Sequence, residues 1–159
     1  MEEQEYDIEE EYDHLSKKYG LPDFDAMSQD FDIEKLYDKN TSYLAREIRR
    51  IINEKISAYL HLFETLLNPR GSPVFILKIL SNISKSDKHS IQAIYKMLTE
   101  IQIQIMKLDT IYSEESEIQF IKKTFTEWQT LKQDIFGLCE MFETNFENND
   151  KFESRTYFN

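Results

Sequence analysis

With one cysteine, Cys139, the chain cannot close an intramolecular disulfide, and one thiol cannot supply the ligand set of a structural zinc site. The opening residues MEEQEYDIEEEYD also lack the basic start and apolar stretch of a secretory leader, so a reducing cytoplasm is the expected setting. Three glycines and three prolines are too few for the many turns of a sheet protein, and no glycine-rich loop is present to cradle a phosphate. Long apolar runs are missing as well: residues 72–77 are followed at once by Lys78, far short of the roughly 20 residues that span a bilayer. Positive charge is scarce. A formal net charge of −11 disfavours general binding to nucleic acid, where Lys and Arg must neutralise phosphates, and adhesion to anionic lipid.

What the chain does have is enough apolar material for a core. Of its 159 residues 40% are hydrophobic and 13% aromatic, and a domain of that size buries roughly 70% of its unfolded surface. Its excess negative charge sits at one end. Residues 1–34 hold thirteen Asp and Glu against Lys17 and Lys18, a balance of −11, so residues 35–159 hold seventeen acids and seventeen bases and are neutral. The shift divides the chain into an acidic N-terminal arm with one short helix, residues 1–22, a helical bundle domain, residues 23–147, and a C-terminal tail, residues 148–159, where no hydrophobic period continues.

Apolar spacing predicts helices throughout. Ile8, Tyr12, Leu15 and Tyr19 stand four, three and four apart, and Gly20 supplies a left-handed stop ahead of Pro22. Asp23 caps one or two turns that turn Phe24, Met27 and Phe31 inward and lead through Ile33 and Leu36. A long helix starts at Thr41 or Ser42 and carries Leu44, Ile48, Ile52, Ile56, Tyr59 and Phe63 on one stripe until Asn68-Pro69 ends it. Ser72 as N-cap and Pro73 at the first helical position start a short helix whose Val74, Phe75, Leu77, Ile79 and Leu80 are apolar nearly all round, which predicts deep burial. Beyond residues 84–86 a helix reaches about Tyr112 on a seam of Ile91, Ile94, Leu98, Ile101, Ile105 and Leu108. The last helix opens at Ser113-Glu114-Glu115 and carries Ile118, Ile121, Phe125, Trp128, Leu131, Ile135, Leu138 and Phe142. Within it Gly137 points to a close helix contact or a kink, and Cys139 to a small core residue. The expected fold is all-α: an antiparallel helical bundle of three long helices plus one short buried helix and short N-terminal helices.

Two features place charge in a pattern that can recognise a ligand. Arg46, Arg49 and Arg50 lie three and four apart and use three of five arginines in a chain with fourteen lysines. Their planar forks suit carboxylate and phosphate, so the trio is a candidate anion- or partner-binding patch. The plainer reading is a solvated face paired with Glu47, Glu54 or the arm. The arm interleaves Tyr6, Ile8, Tyr12 and Leu15 with its acids, which makes those four a candidate partner-binding strip. Its alternatives are a solvated flexible end, a helix docked on the domain, and a latch in which the arm masks the trio. In the tail Phe152, Tyr157 and Phe158 are candidates for filling a groove on this chain or on a neighbour. Metal chemistry finds little support: Glu11 and His14 make one Glu-x-x-His pair, where a di-metal bundle needs two such pairs and two further glutamates.

These features lead to the expectation of a non-catalytic cytoplasmic module for protein–protein interaction or assembly. It would bind another protein or a second copy of itself, with no cofactor, no metal, no membrane contact and no enzymatic activity. A first alternative is a nucleic-acid-associated or anion-binding subunit that uses Arg46, Arg49 and Arg50 as a local exception to the overall charge. A second is a small-molecule enzyme with a pocket in the bundle, its polar groups drawn from the same arginines and Glu54.

Overall fold

The structure, a computed structural model, describes residues 7–37 and 42–156, with side-chain surroundings up to residue 150. Among the described residues all regular structure is helical: α1 (Ile8–Tyr19), α2 (Phe24–Phe31), a 3-10 turn (Ile33–Leu36), α3 (Leu44–Leu67), α4 (Val74–Leu80), α5 (Lys85–Thr110) and α6 (Glu114–Thr156). No described helix is long and apolar enough to cross a membrane. The chain packs as two units, one of Met1–Ser57 and Glu100–Trp128, the other of Ala58–Thr99 and Gln129–Asn159. The helices α3, α5 and α6 therefore each give a segment to both, a division by packing rather than by the order of composition along the chain.

In the first unit local chemistry sets the boundaries. Asp7 accepts the N–H groups of Glu9 and Glu10 at 2.9 and 3.4 Å and caps α1. Glu9, Glu10 and Glu11 then face the positive end of the helix dipole, and Lys17 and Lys18 the negative end. Gly20, at φ 67°, donates its N–H to the Ser16 carbonyl and ends the helix in the left-handed conformation. Ile8 and Tyr12 are fully buried, and the Tyr12 hydroxyl donates to the Pro22 carbonyl at 2.6 Å.

That burial corrects the reading of Ile8 and Tyr12 as a free partner-binding strip. Burying one Ile-sized side chain is worth roughly 1.5–3 kcal/mol, against a few tenths for each like-charge pair on a helix face. The described part of the arm is accordingly a docked helix of this unit. Leu15 is half-buried, and Tyr6 lies outside the described residues. The end of α1 is tied to α6: the Tyr19 hydroxyl donates to the Glu114 carboxylate at 2.7 Å, Lys18 Nζ lies 3.3 Å from the same oxygen, and Lys122 Nζ donates to the Tyr19 carbonyl at 2.8 Å. Met27 and Phe31 of α2, with Ile33 and Leu36 behind them, enter a core with Ile48, Ile52 and Ile56 of α3, Ile101 and Ile105 of α5, and Ile118 and Ile121 of α6.

The second unit departs from the sequence reading at α4. Only Ile76 of that helix is buried, whereas Val74, Phe75 and Leu77 are exposed, Val74 by 68%, so it is not the short buried helix expected. Seven residues make two turns, and a helix that offers one stripe to its neighbours leaves the rest of an all-round apolar sequence in solvent. Its entry differs too. Ser72 lies in a turn with its N–H on the Pro69 carbonyl, and Pro73 takes the N-cap position. A reciprocal cap starts α5 instead: Ser84 N–H donates to the Asp87 carboxylate and Asp87 N–H to Ser84 Oγ, both at 3.0 Å.

Helix α6 does not stop near residue 147 but continues to Thr156, so the stretch read as a tail is helical through that residue. The hydrophobic period is lost there, and side-chain amides replace it. Asn145 Nδ2 donates to the Ile79 carbonyl at 3.1 Å and Asn149 Nδ2 to the Lys78 carbonyl at 3.0 Å, at the end of α4 where intrahelical donors run out. A Cβ built on Gly137 meets no heavy atom within 4 Å, so close helix contact does not explain that glycine, and Cys139 is exposed rather than in the core. The side chain of Phe152, and Tyr157 and Phe158 entirely, lie outside what is described.

The bond from Tyr19, helped by Lys18, holds the Glu114 carboxyl below the ordinary glutamate value of 4.5 in spite of partial burial. A depressed carboxyl stabilises the folded chain above its unfolded pKa and releases that contribution as pH falls through the folded value. Tyr19→Phe is expected to destabilise the chain near neutral pH by a margin that shrinks once pH drops below 4.5. Urea unfolding of both chains from about pH 7 to about pH 3 checks this; a margin that does not change with pH would count against the contact.

Candidate functional site

The inward face of α3 in the first unit carries Ala45, Ile48, Ile52 and Ile56, and Arg49 falls among them. Its side chain is only 2% exposed. On α6 the inward face of Ile118, Ile121 and Trp128 likewise includes a charge, Glu117, which is 0% exposed. The two meet: Arg49 Nε donates to Glu117 Oε2 at 2.6 Å, while Arg49 Nη2 lies 2.9 Å from the exposed Asp109 carboxylate of α5. One guanidinium therefore joins segments of three helices. Burial pushes the Glu117 carboxyl up from its ordinary value, and Arg49 followed by Arg46 pulls it back. Glu117 Oε1 accepts no hydrogen bond among the described residues and is 4.0 Å from Arg46 Nε.

The other two arginines have different surroundings. Arg46 is partly exposed and lies over the Tyr112 ring at 4.3 Å and the Tyr43 ring at 5.5 Å, with those rings edge to face at 5.0 Å. Arg50 is on the surface and pairs with Glu47 at 2.5 Å. The trio does not converge on one open patch, and Arg49 is corrected from a ligand-binding group to an internal clamp. Its partners are 60 and 68 positions away, too far for helix spacing to reveal. The described part of the arm pairs with Glu114, Lys122 and Tyr37 and not with the trio, so no latch forms through residues 7–19. Glu54 is exposed and adds no pocket to these arginines.

A groove lies on the outside of the same unit, between the end of α5 and the start of α6, with a volume of about 820 Å³. Its floor is apolar: Ile103, Met106, Leu108 and Ile111 from α5 and the connection after it, and Phe120 from α6. Met106 is 61% exposed and Ile111 77%. Lys107 and Lys123 are the only charged residues among those that line it, both cationic, and Lys123 also pairs with the half-buried Glu127 at 3.7 Å. Helix spacing finds the buried seam of α5 at Ile94, Leu98, Ile101 and Ile105; Ile103 and Met106 fall off that seam, the one signal in the sequence that pointed to a second apolar face.

Among the described residues no group of three or more His, Cys, Asp and Glu is placed to hold a metal ion. No protein-family model, no curated protein and no solved structure matches the chain.

Removing one member of a buried ion pair strands the other, whereas replacing both with apolar volume is commonly neutral or better. Arg49→Met, which strands the buried Glu117, is expected to cost about 3–5 kcal/mol, and Arg49→Met with Glu117→Leu to recover most of it; Glu117→Gln leaves Arg49 its Asp109 partner and should cost less. Denaturant unfolding of the three chains reads both effects.

Proposed function

We propose that the chain is a non-catalytic helical module for protein–protein interaction or assembly in the cytoplasm. Its three long helices form an antiparallel bundle, and the groove between α5 and α6 is the docking surface. The antiparallel sense is supported by register within the first unit. Along α3, Arg49 pairs with Asp109 and Ser57 bonds Gln102, so α3 and α5 advance in opposite directions; Arg49 pairs with Glu117 and Lys55 lies over Trp128, so α3 and α6 advance together.

The observation that carries the docking role is the apolar floor itself, in which Ile103, Met106 and Ile111 are exposed, with polar residues among the rest of the lining. Contiguous exposed apolar surface bordered by polar groups is characteristic of interaction sites, and helices are commonly read by grooves of this kind. An anion- or nucleic-acid-binding role for Arg46, Arg49 and Arg50 has less support, because a phosphate would have to displace Glu117 from a buried guanidinium. The small-molecule enzyme has less still, since none of the groove's lining residues is an acid, a histidine or a cysteine.

A photo-reactive amino acid at position 103, used in the full chain in its source cell, tests the reading. Adducts with protein are expected there and not from position 54 on the exposed side of α3. Met106→Glu with Ile111→Glu should reduce them by about tenfold or more while leaving stability within about 0.5 kcal/mol per exposed site. Equal labelling from positions 103 and 54 would remove the docking role.

A further inference from the structure

We propose that the groove takes the acidic, Phe136-bearing face of α6 from a second copy of this chain, an inference that rests on reading the groove as a docking surface. Residues 133–150 contain Asp134, Glu140, Glu143, Glu147 and Asp150 and no Lys or Arg. Phe136, Glu140, Glu143 and Glu147 stand four, three and four apart, which puts them on one side of the helix. All four are exposed, Phe136 by 62%. The opposite side is already engaged within the second unit, where Leu131, Ile135 and Leu138 are buried and Asn145 and Asn149 bond α4.

The two surfaces are complements. One presents an apolar floor with two lysines and no acid among its lining residues, the other an aromatic knob followed by carboxylates one and two turns on. Phe136 supplies apolar area for the floor, and Glu140 and Glu143 supply carboxylates to Lys107, which has no ion-pair partner among the described residues, and to Lys123, which shares the half-buried Glu127. Each copy carries both surfaces, so one copy can offer the groove and another the acidic face. The net charge of −11 opposes this at long range. That excess belongs to residues 1–34, and at about 0.15 M salt the screening length is about 8 Å, so charges in contact across a groove retain their attraction while the distant field is damped.

Sedimentation velocity of the purified full chain over a range of concentrations, in about 0.15 M salt, tests the pairing. The wild type is expected to associate. Lys107→Glu with Lys123→Glu in one variant, and Glu140→Lys with Glu143→Lys in another, set like charges against each other and should each weaken association by about tenfold or more. Mixing the two variants restores opposite charges at both contacts and should restore association. A wild type that stays monomeric, or a mixture that stays as weak as its components, overturns the pairing. Protein adducts at position 103 alongside a monomeric wild type would leave the docking role standing with a different partner; their absence would remove both.

Discussion

A guanidinium withdrawn from water dictates the placement of every helix around it. Arg49 is held by Glu117 on α6 and Asp109 on α5, and either helix turned by one residue would swing its carboxylate through about 100° and take away one of the cation's two partners. The net gain in stability from such a pair is small, because desolvation consumes most of the Coulomb attraction. Its effect is on register. The cost of leaving Arg49 unpaired excludes alternative alignments of three helix segments that are otherwise lined by interchangeable isoleucines.

The same constraint reaches the surface. The exposed Asp109 and the buried Glu117 fasten the end of α5 and the start of α6 to α3, and the residues between and beside them, Met106, Ile111 and Phe120, line the groove. An apolar groove whose walls could slide would collapse on itself, since burying Met106 and Ile111 locally is favourable. Pairing of Arg49 with both carboxylates opposes such sliding, because it would part a buried cation from a partner.

How much of this could be read in advance depends on the range of the physics. Caps, dipole charges and apolar period act within a few residues, and they place α1 at Ile8–Tyr19, end it at Gly20, and put the long helices where Ile48, Ile52, Ile94, Ile101, Ile118 and Ile121 repeat. Burial of a short apolar segment depends on what faces it. Val74, Phe75 and Leu77 look like core residues and are exposed, because no described element covers that side of α4. The end of α6 fails in the other direction: Asn145 and Asn149 carry no apolar period, yet the helix continues through them and they bond the Ile79 and Lys78 carbonyls, 66 and 71 residues distant. Arg49 belongs to the same class. It stands three and seven residues before Ile52 and Ile56, on the border of their stripe, and only the carboxylates of two other helices decide that it goes in.

The distribution of charge gives the apolar surfaces different standing. Exposed Val74, Phe75 and Leu77 form a patch with nothing in the structure to select an occupant, whereas the groove has cations among its lining residues and a face of opposite sign elsewhere on the chain. On the proposed pairing, the acids of residues 1–34 act over a Debye length and discourage random encounters between copies, an effect common to strongly charged proteins. Contacts at ion-pair distance are governed by local sign, and there residues 107, 123, 140 and 143 attract. A chain that is repulsive at range and complementary in contact can keep apolar side chains exposed without precipitating, because only one relative placement of two copies converts the repulsion into attraction.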